Sequence, residues 1–270
     1  MQSLWPEVQV ALERNDPRLA IALLSNIITR EDSKLNKLTA MIERSKILVM
    51  IDRPIEAKRD LDSILDQTTL QAPSDNFLEL RVQAYSFLAT LNIADINSAS
   101  QLYNLGLQVA ESMYKRNKVY GYYIVDLNFG KGVLNVNSDP TQAINSFTRA
   151  LSVLQESEPE IMSHRNSDKT KLIKRALAFN RGMLYYKQRK YDLAKNDFLR
   201  LGPFEGHLLM AHLYYKDGFE EKFKAHLIKG LSHPPQYSND QISETLVPII
   251  TLLINFTPMK SSKLNPSPRK

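Results

Sequence analysis

The chain has 270 residues, 43% hydrophobic and 24% charged, the proportions of an ordinary globular protein. It contains no cysteine, which excludes a disulfide framework, a thiolate nucleophile and a cysteine-ligated metal. A formal charge of +6 and a pI of about 9.3 permit acidic partners or nucleic acid without requiring either.

Only nine residues are glycine, while Leu, Ile, Ala, Lys and Asn are common, which favours helices over a turn-rich β fold. The first sixteen residues lack the basic segment and apolar core of a secretory signal. The longest apolar run, 246–254, is interrupted by Pro248 and Thr251 and falls far short of the ~20 residues of a membrane span. A cytoplasmic setting with no membrane span is therefore expected.

In chain order, helical spacing begins at Val8, Ala11 and Leu12. Asn15-Asp16-Pro17 then punctuates the chain: Asp can cap a helix, and Pro suits its first position because the missing N–H costs nothing there. The next helix carries Ala20, Leu24 and Ile27 on one face. The pattern returns as Asp52-Arg53-Pro54 before Ala57, Leu61 and Ile64, and as Asp95-Ile96-Asn97 before Ala99, Tyr103 and Gly106. It returns again as Asp139-Pro140 before Ala143, Phe147 and Ala150, and as Lys190-Tyr191-Asp192 before Ala194, Phe198 and Leu201. A first helix precedes each of these: 38–51 with Met41, Ser45 and Leu48; 77–93 with Leu80, Ala84, Phe87 and Leu91; 120–136 with Val125, Leu127 and Leu134. In that last helix, Gly130 and Gly132 each weaken helicity by about 1 kcal/mol, which implies close packing or a kink.

Residues 159–168, PEIMSHRNSD, read as the main irregular segment. From Ala178 to Leu201 a complete helix–turn–helix unit follows, with Ala178, Gly182 and Tyr185 on its first helix and Tyr191, Ala194 and Phe198 on its second. Gly202-Pro203 stops it. Residues 204–231 form a sixth, degenerate pair, in which Lys222 holds the alanine position and His226 the aromatic one. Residues 241–256 read as a terminal helix, apolar nearly all round, with Pro248 in its middle, and 258–270 as a disordered basic tail.

The small–aromatic pair on a first helix, answered by Tyr–Ala–Phe on a second, resembles the tetratricopeptide repeat. The resemblance implies an all-α fold: a right-handed superhelical solenoid of antiparallel helix pairs, with about thirteen helices in one domain over 1–257. Its units fall near 4–30, 38–68, 77–113, 120–156, 170–201 and 204–231, with the terminal helix at 240–256. The alanine-to-alanine spacings of 37, 42, 44 and 51 residues depart from the 34-residue repeat. The helices or loops are therefore extended.

No catalytic constellation emerges, and an enzyme is not expected. His207 and His212 are five apart and point to different helix faces, and there is no HExxH, so no metal site is expected. Gly130-Lys131-Gly132 lacks phosphate-loop spacing and a preceding strand, so no cofactor is expected either. The family instead binds protein or peptide partners in a concave groove lined by the first helices. Carried over residue by residue, the groove contacts are Asn128, Lys131, Phe179, Asn180, Met183, Tyr186, Lys187 and His212, with Leu208 beside them. One tyrosine of each of the pairs 122–123, 185–186 and 214–215 is expected in the core and its neighbour in the groove, with Tyr186 as the anchor of the opening unit. The paired Lys and Asn with which some relatives grip a terminal carboxylate are not all present, which disfavours that ligand.

Lys115, Arg116 and Lys118, with Arg165, Lys169 and Lys171, form a basic edge. Cations near helix C-termini are favoured by the macrodipole. The alternative functions are a nucleic-acid-associated protein using this edge, or a peptide-sensing regulator. The leading expectation is a non-enzymatic scaffold or adaptor that binds a partner in its groove or serves as one subunit of a larger complex.

Overall fold

The computed structural model describes residues 5–69, 74–164 and 167–233, and within these the chain is helical without strands. Twelve α-helices follow in six consecutive pairs: α1 (Pro6–Glu13) with α2 (Pro17–Arg30), α3 (Lys34–Met50) with α4 (Pro54–Thr69), and α5 (Asp75–Leu91) with α6 (Ile96–Arg116). They continue as α7 (Gly121–Asn135) with α8 (Pro140–His164), α9 (Ser167–Lys187) with α10 (Tyr191–Phe198), and α11 (Pro203–Lys216) with α12 (Glu220–Leu231). Short 3₁₀ turns, Lys118–Tyr120 and Leu199–Leu201, precede α7 and follow α10. No described helix is long and apolar enough to cross a membrane. The terminal helix expected at 240–256 and the tail at 258–270 lie outside the described residues, as does Arg165.

By its contacts the chain forms two compact units, Met1–Asn180 and Arg181–Lys270, and the boundary falls inside α9 rather than at a linker. In the first unit each second helix packs against the first helix of the following pair, α2 on α3, α4 on α5 and α6 on α7. The first helices also meet one another, α3 against α5 and α5 against α7.

Local chemistry sets the helix ends. Five helices start on proline: α1, α2, α4, α8 and α11. Asp16 accepts the Leu19 N–H at 3.0 Å, Asp95 accepts those of Asn97 and Ser98, and Asp139 accepts that of Gln142 at 3.0 Å. These are the N-caps that the sequence spacing predicts.

Four of the six pairs share one turn. Three residues link α1 to α2, α3 to α4, α9 to α10 and α11 to α12, and the middle one is left-handed: Asn15 (φ 56°), Asp52 (φ 58°), Arg189 (φ 59°) and Gly218 (φ 76°). The N–H after it donates to the carbonyl five residues back, Asp16 to Ala11, Arg53 to Leu48, Lys190 to Tyr185 and Phe219 to Tyr214, at 2.8–2.9 Å. This is the Schellman closure of a helix C-terminus. Pairs three and four use four-residue turns instead.

The repeated alanines Ala20, Ala57, Ala99, Ala143 and Ala194 are all fully buried. The large residue four positions later in each case, Leu24, Leu61, Tyr103, Phe147 or Phe198, is buried with it. The glycines opposite make room: a methyl group at Gly182 would lie 2.6 Å from Phe198 Cε1, and one at Gly132 would overlap the Phe147 ring. Close packing, not a kink, is therefore what the glycines in α7 provide.

One expectation is corrected. Residues 159–164 are helical, because α8 bends at Ser157 (φ −141°, ψ 25°) and resumes. The break puts Pro159 in the first turn of the resumed segment, where its missing N–H needs no partner. The buried Ser157 hydroxyl lies 2.6 Å from that of Tyr114, sharing one hydrogen bond. The 51-residue spacing thus comes from extended helices.

Because a non-glycine residue pays for the left-handed region, Arg189→Gly should gain roughly 0.5–1 kcal/mol, after the entropy cost of glycine, in denaturant unfolding of the full chain. Gly218→Ala should lose about 1 kcal/mol by the same measure. The opposite signs would show that these turns carry no such strain.

Candidate partner-binding surface

In the first unit the side-by-side helices α3, α5 and α7 create a shared face. Tyr123, buried, donates its hydroxyl to Glu79 Oε2 at 2.9 Å and accepts from Gln83 Nε2 at 3.2 Å, tying α7 to α5. Tyr120 donates to Asp75 at 3.2 Å, and Arg116 pairs with the same carboxylate at 2.7 Å. Tyr122 lies half-buried against Tyr123, with ring centroids 4.1 Å apart. Burial, and then the neighbouring Tyr122 phenol and Glu79 carboxylate, raise the Tyr123 phenol, and burial is the main cause at Tyr122 too. Both therefore stay neutral and keep their protons for hydrogen bonding. Between α3 and α5, Lys46 pairs with Glu43 at 2.6 Å and stands 5.9 Å from the centroid of the half-buried Phe87 ring.

The candidate groove residues fall in different settings. Asn128 is buried and donates back to the Ile124 carbonyl at 2.9 Å; Asn180, half-buried, does the same to Ala176 at 2.8 Å. Such bonds to the carbonyl four residues earlier spend the amide inside its own helix. Lys131 donates to Asn104 of α6 at 2.7 Å, and burial lowers its ammonium pKa. Phe179 is half-buried.

In the second unit Met183 is half-buried and Lys187 exposed. Tyr186 donates its hydroxyl to the Leu213 carbonyl at 2.8 Å and meets Tyr191 edge-on at 5.6 Å. Burial, with Asp217 nearby, raises its phenol, so it remains a donor. Tyr191, Tyr214 and Phe219 complete an aromatic cluster with centroids about 6 Å apart. Tyr186 thus has ring surface, rather than a hydroxyl, to offer a partner. His212 and Leu208 are half-buried; burial first, then Lys216, lowers the His212 pKa. In two of the tyrosine pairs one member is buried, Tyr123 beside the half-buried Tyr122 and Tyr214 beside the exposed Tyr215, while Tyr185 and Tyr186 are both half-buried.

At the basic edge, Lys115 and Lys169 stand exposed. Arg116 is held by Asp75, Lys118 lies 3.8 Å from the Tyr114 ring centroid, and Lys171 pairs with Asp168 at 3.6 Å.

Two largely buried ion pairs were not anticipated. Arg181 makes a two-pronged bond to Asp197 at 2.7 and 2.6 Å, with side chains 11% and 2% exposed. Arg44 and Asp60 repeat it at 2.8 and 2.6 Å, again sixteen residues apart. In both, Asp stands three after the key alanine and Arg just before the small residue of the first helix, Ser45 or Gly182. Aligning the second and fifth pairs on Ala57 and Ala194 would have revealed it. His207 and His226 also meet, Nδ1 to Nδ1 at 3.0 Å.

No family model and no curated protein sequence matches the chain.

Removing one charge of Arg181–Asp197 leaves the other buried. Arg181→Met or Asp197→Leu should each cost about 3–5 kcal/mol, and the double replacement should recover much of this in a double-mutant cycle. At the more exposed Arg44–Asp60 pair the single losses should be smaller; equal losses would show that burial does not set the cost.

Proposed function

We propose that this chain is a non-enzymatic scaffold of the tetratricopeptide-like kind. Its helix pairs stack as a right-handed superhelix and hold a partner peptide or helix on the face of the first helices. The observation that carries this reading is the side-by-side placement of α3, α5 and α7. That face presents the half-buried Phe87, Gln83 and Tyr122, partly apolar surface joined to groups able to hydrogen-bond. Tyrosine and phenylalanine supply large contact area at low entropic cost, which suits such a surface. The shared Schellman turns and buried alanines support the repeat character on which the reading depends. Phe179 and Met183, both half-buried on α9, are further contact residues in this proposal, with Tyr186 contributing its ring.

A photo-crosslinking residue placed at Phe87 or Tyr122 should trap one partner that a probe at the exposed Lys58, on the second helix of its pair, does not. With that partner in hand, Phe87→Ala and Tyr122→Ala should each weaken binding about tenfold or more, or about 1.4 kcal/mol. Lys58→Ala should leave the affinity within about twofold, as a replacement away from the contact should. Equal trapping at all three positions, or an unchanged Kd in folded Phe87 and Tyr122 variants, would reject this face.

A further inference from the structure

The last described helix pair departs from the other five at two positions, with the exposed Lys222 in the place of the contact alanine and a histidine four residues after it. Four residues after the contact alanine, the second helices of the first five pairs place Leu24, Leu61, Tyr103, Phe147 and Phe198 in the core. The sixth places His226 there, 9% exposed. Its Nδ1 lies 3.0 Å from Nδ1 of His207 on α11, with ring centroids 5.0 Å apart, and its ring rests against Tyr214 at 5.4 Å. Beside this contact Gly230 packs against Leu208, so the pair sits in the seam that joins α12 to α11.

Two ring nitrogens at this distance share one proton, an N–H on one meeting the lone pair of the other. With both rings fully protonated, two N–H groups would face each other. The charges acting on the pair oppose that state: Lys195 from α10, Lys229 from α12 and His233 just beyond its end. From α11 the neighbour is the Tyr214 phenol, whose pKa burial raises, so it brings no negative charge.

We propose that His207 and His226 form a proton-sensitive latch that holds α12 on α11 while the pair is neutral and releases α12 in mildly acidic solution. Burial, and then His207, Lys195 and Lys229, hold His226 down at about 4, and burial and Lys229 lower His207. A histidine with a depressed folded pKa takes up its proton more readily when unfolded or released. The stabilisation is therefore complete above about 6.5, the ordinary value, and is lost as the pH falls towards 4. An apolar residue at this position, as in the other five pairs, confers no such dependence.

The test is amide hydrogen exchange of the full chain at pH 7.5 and pH 5.0, corrected for intrinsic rates. Protection in α12 should fall roughly tenfold at the lower pH while α2 and α4 keep theirs. His226→Phe, which restores the residue type of Phe147 and Phe198, should hold α12 equally at both. Unchanged protection of α12 in the wild type overturns the latch, and so does a loss spread evenly over all helices or an equal loss in His226→Phe. Should that variant not fold, an NMR titration of the wild-type imidazoles decides. His226 titrating well below 6 sustains the latch, and titration at or above 6.5 overturns it.

Discussion

How near the two helices of a pair can come is the constraint on which the rest of this molecule depends. The second helices bring Ala20, Ala57, Ala99, Ala143 and Ala194 to full burial, and the large residue four positions on fills the space beside each. At Gly182 and Gly132 the first helix gives up its side chain so that Phe198 and Phe147 can enter. Any Cβ there would displace an aromatic ring that already packs against the glycine. Once closed, a pair still has apolar surface to cover, so in the first unit α5 and α7 are each laid against both helices of the pair before them.

Polar contacts then restrict how these layers can sit. Arg44–Asp60 and Arg181–Asp197 bridge the two helices of their pairs beside the small residue, where a longer separation would break both prongs. Between pairs, Tyr123 reaches Glu79 and Lys131 reaches Asn104. Buried ion pairs add less net stability than apolar residues of the same shape, but they penalise any register in which a charge loses its partner. The Schellman turns act on the same geometry from the helix ends, since a three-residue link with one left-handed residue leaves the chain few ways to reverse.

The candidate surface was only partly legible in the sequence. Helical periodicity implies that Tyr122 and Tyr123 differ in burial because adjacent residues are rotated by about 100°. It does not tell whether a half-buried polar group is already engaged. Asn128 and Asn180 spend their amides within their own helices, Lys131 on the preceding pair and Tyr186 on Leu213. Those partners are set by rotamers and by neighbours up to 27 residues away, which a periodic pattern does not encode. The His207–His226 contact was hidden for the same reason, although His226 at an aromatic position was a visible anomaly.

By itself the sequence determined the helices, their pairing and the aspartate caps of α2, α6 and α8, because these follow from local chemistry: proline and aspartate at starts, and alanine and a large residue spaced by one helical turn. Only the tertiary structure decided the continuation of α8 through Pro159, which needs the bend at Ser157 and a hydroxyl from Tyr114 to hold it. The left-handed Asn15, Asp52 and Arg189 were likewise settled there, since residues other than glycine enter that region when packing on both sides demands the turn. The tertiary structure also set the pairing of buried charges and imidazoles. A residue's type gives its chemistry, but a specific partner exists only once two helices have been brought within hydrogen-bond reach.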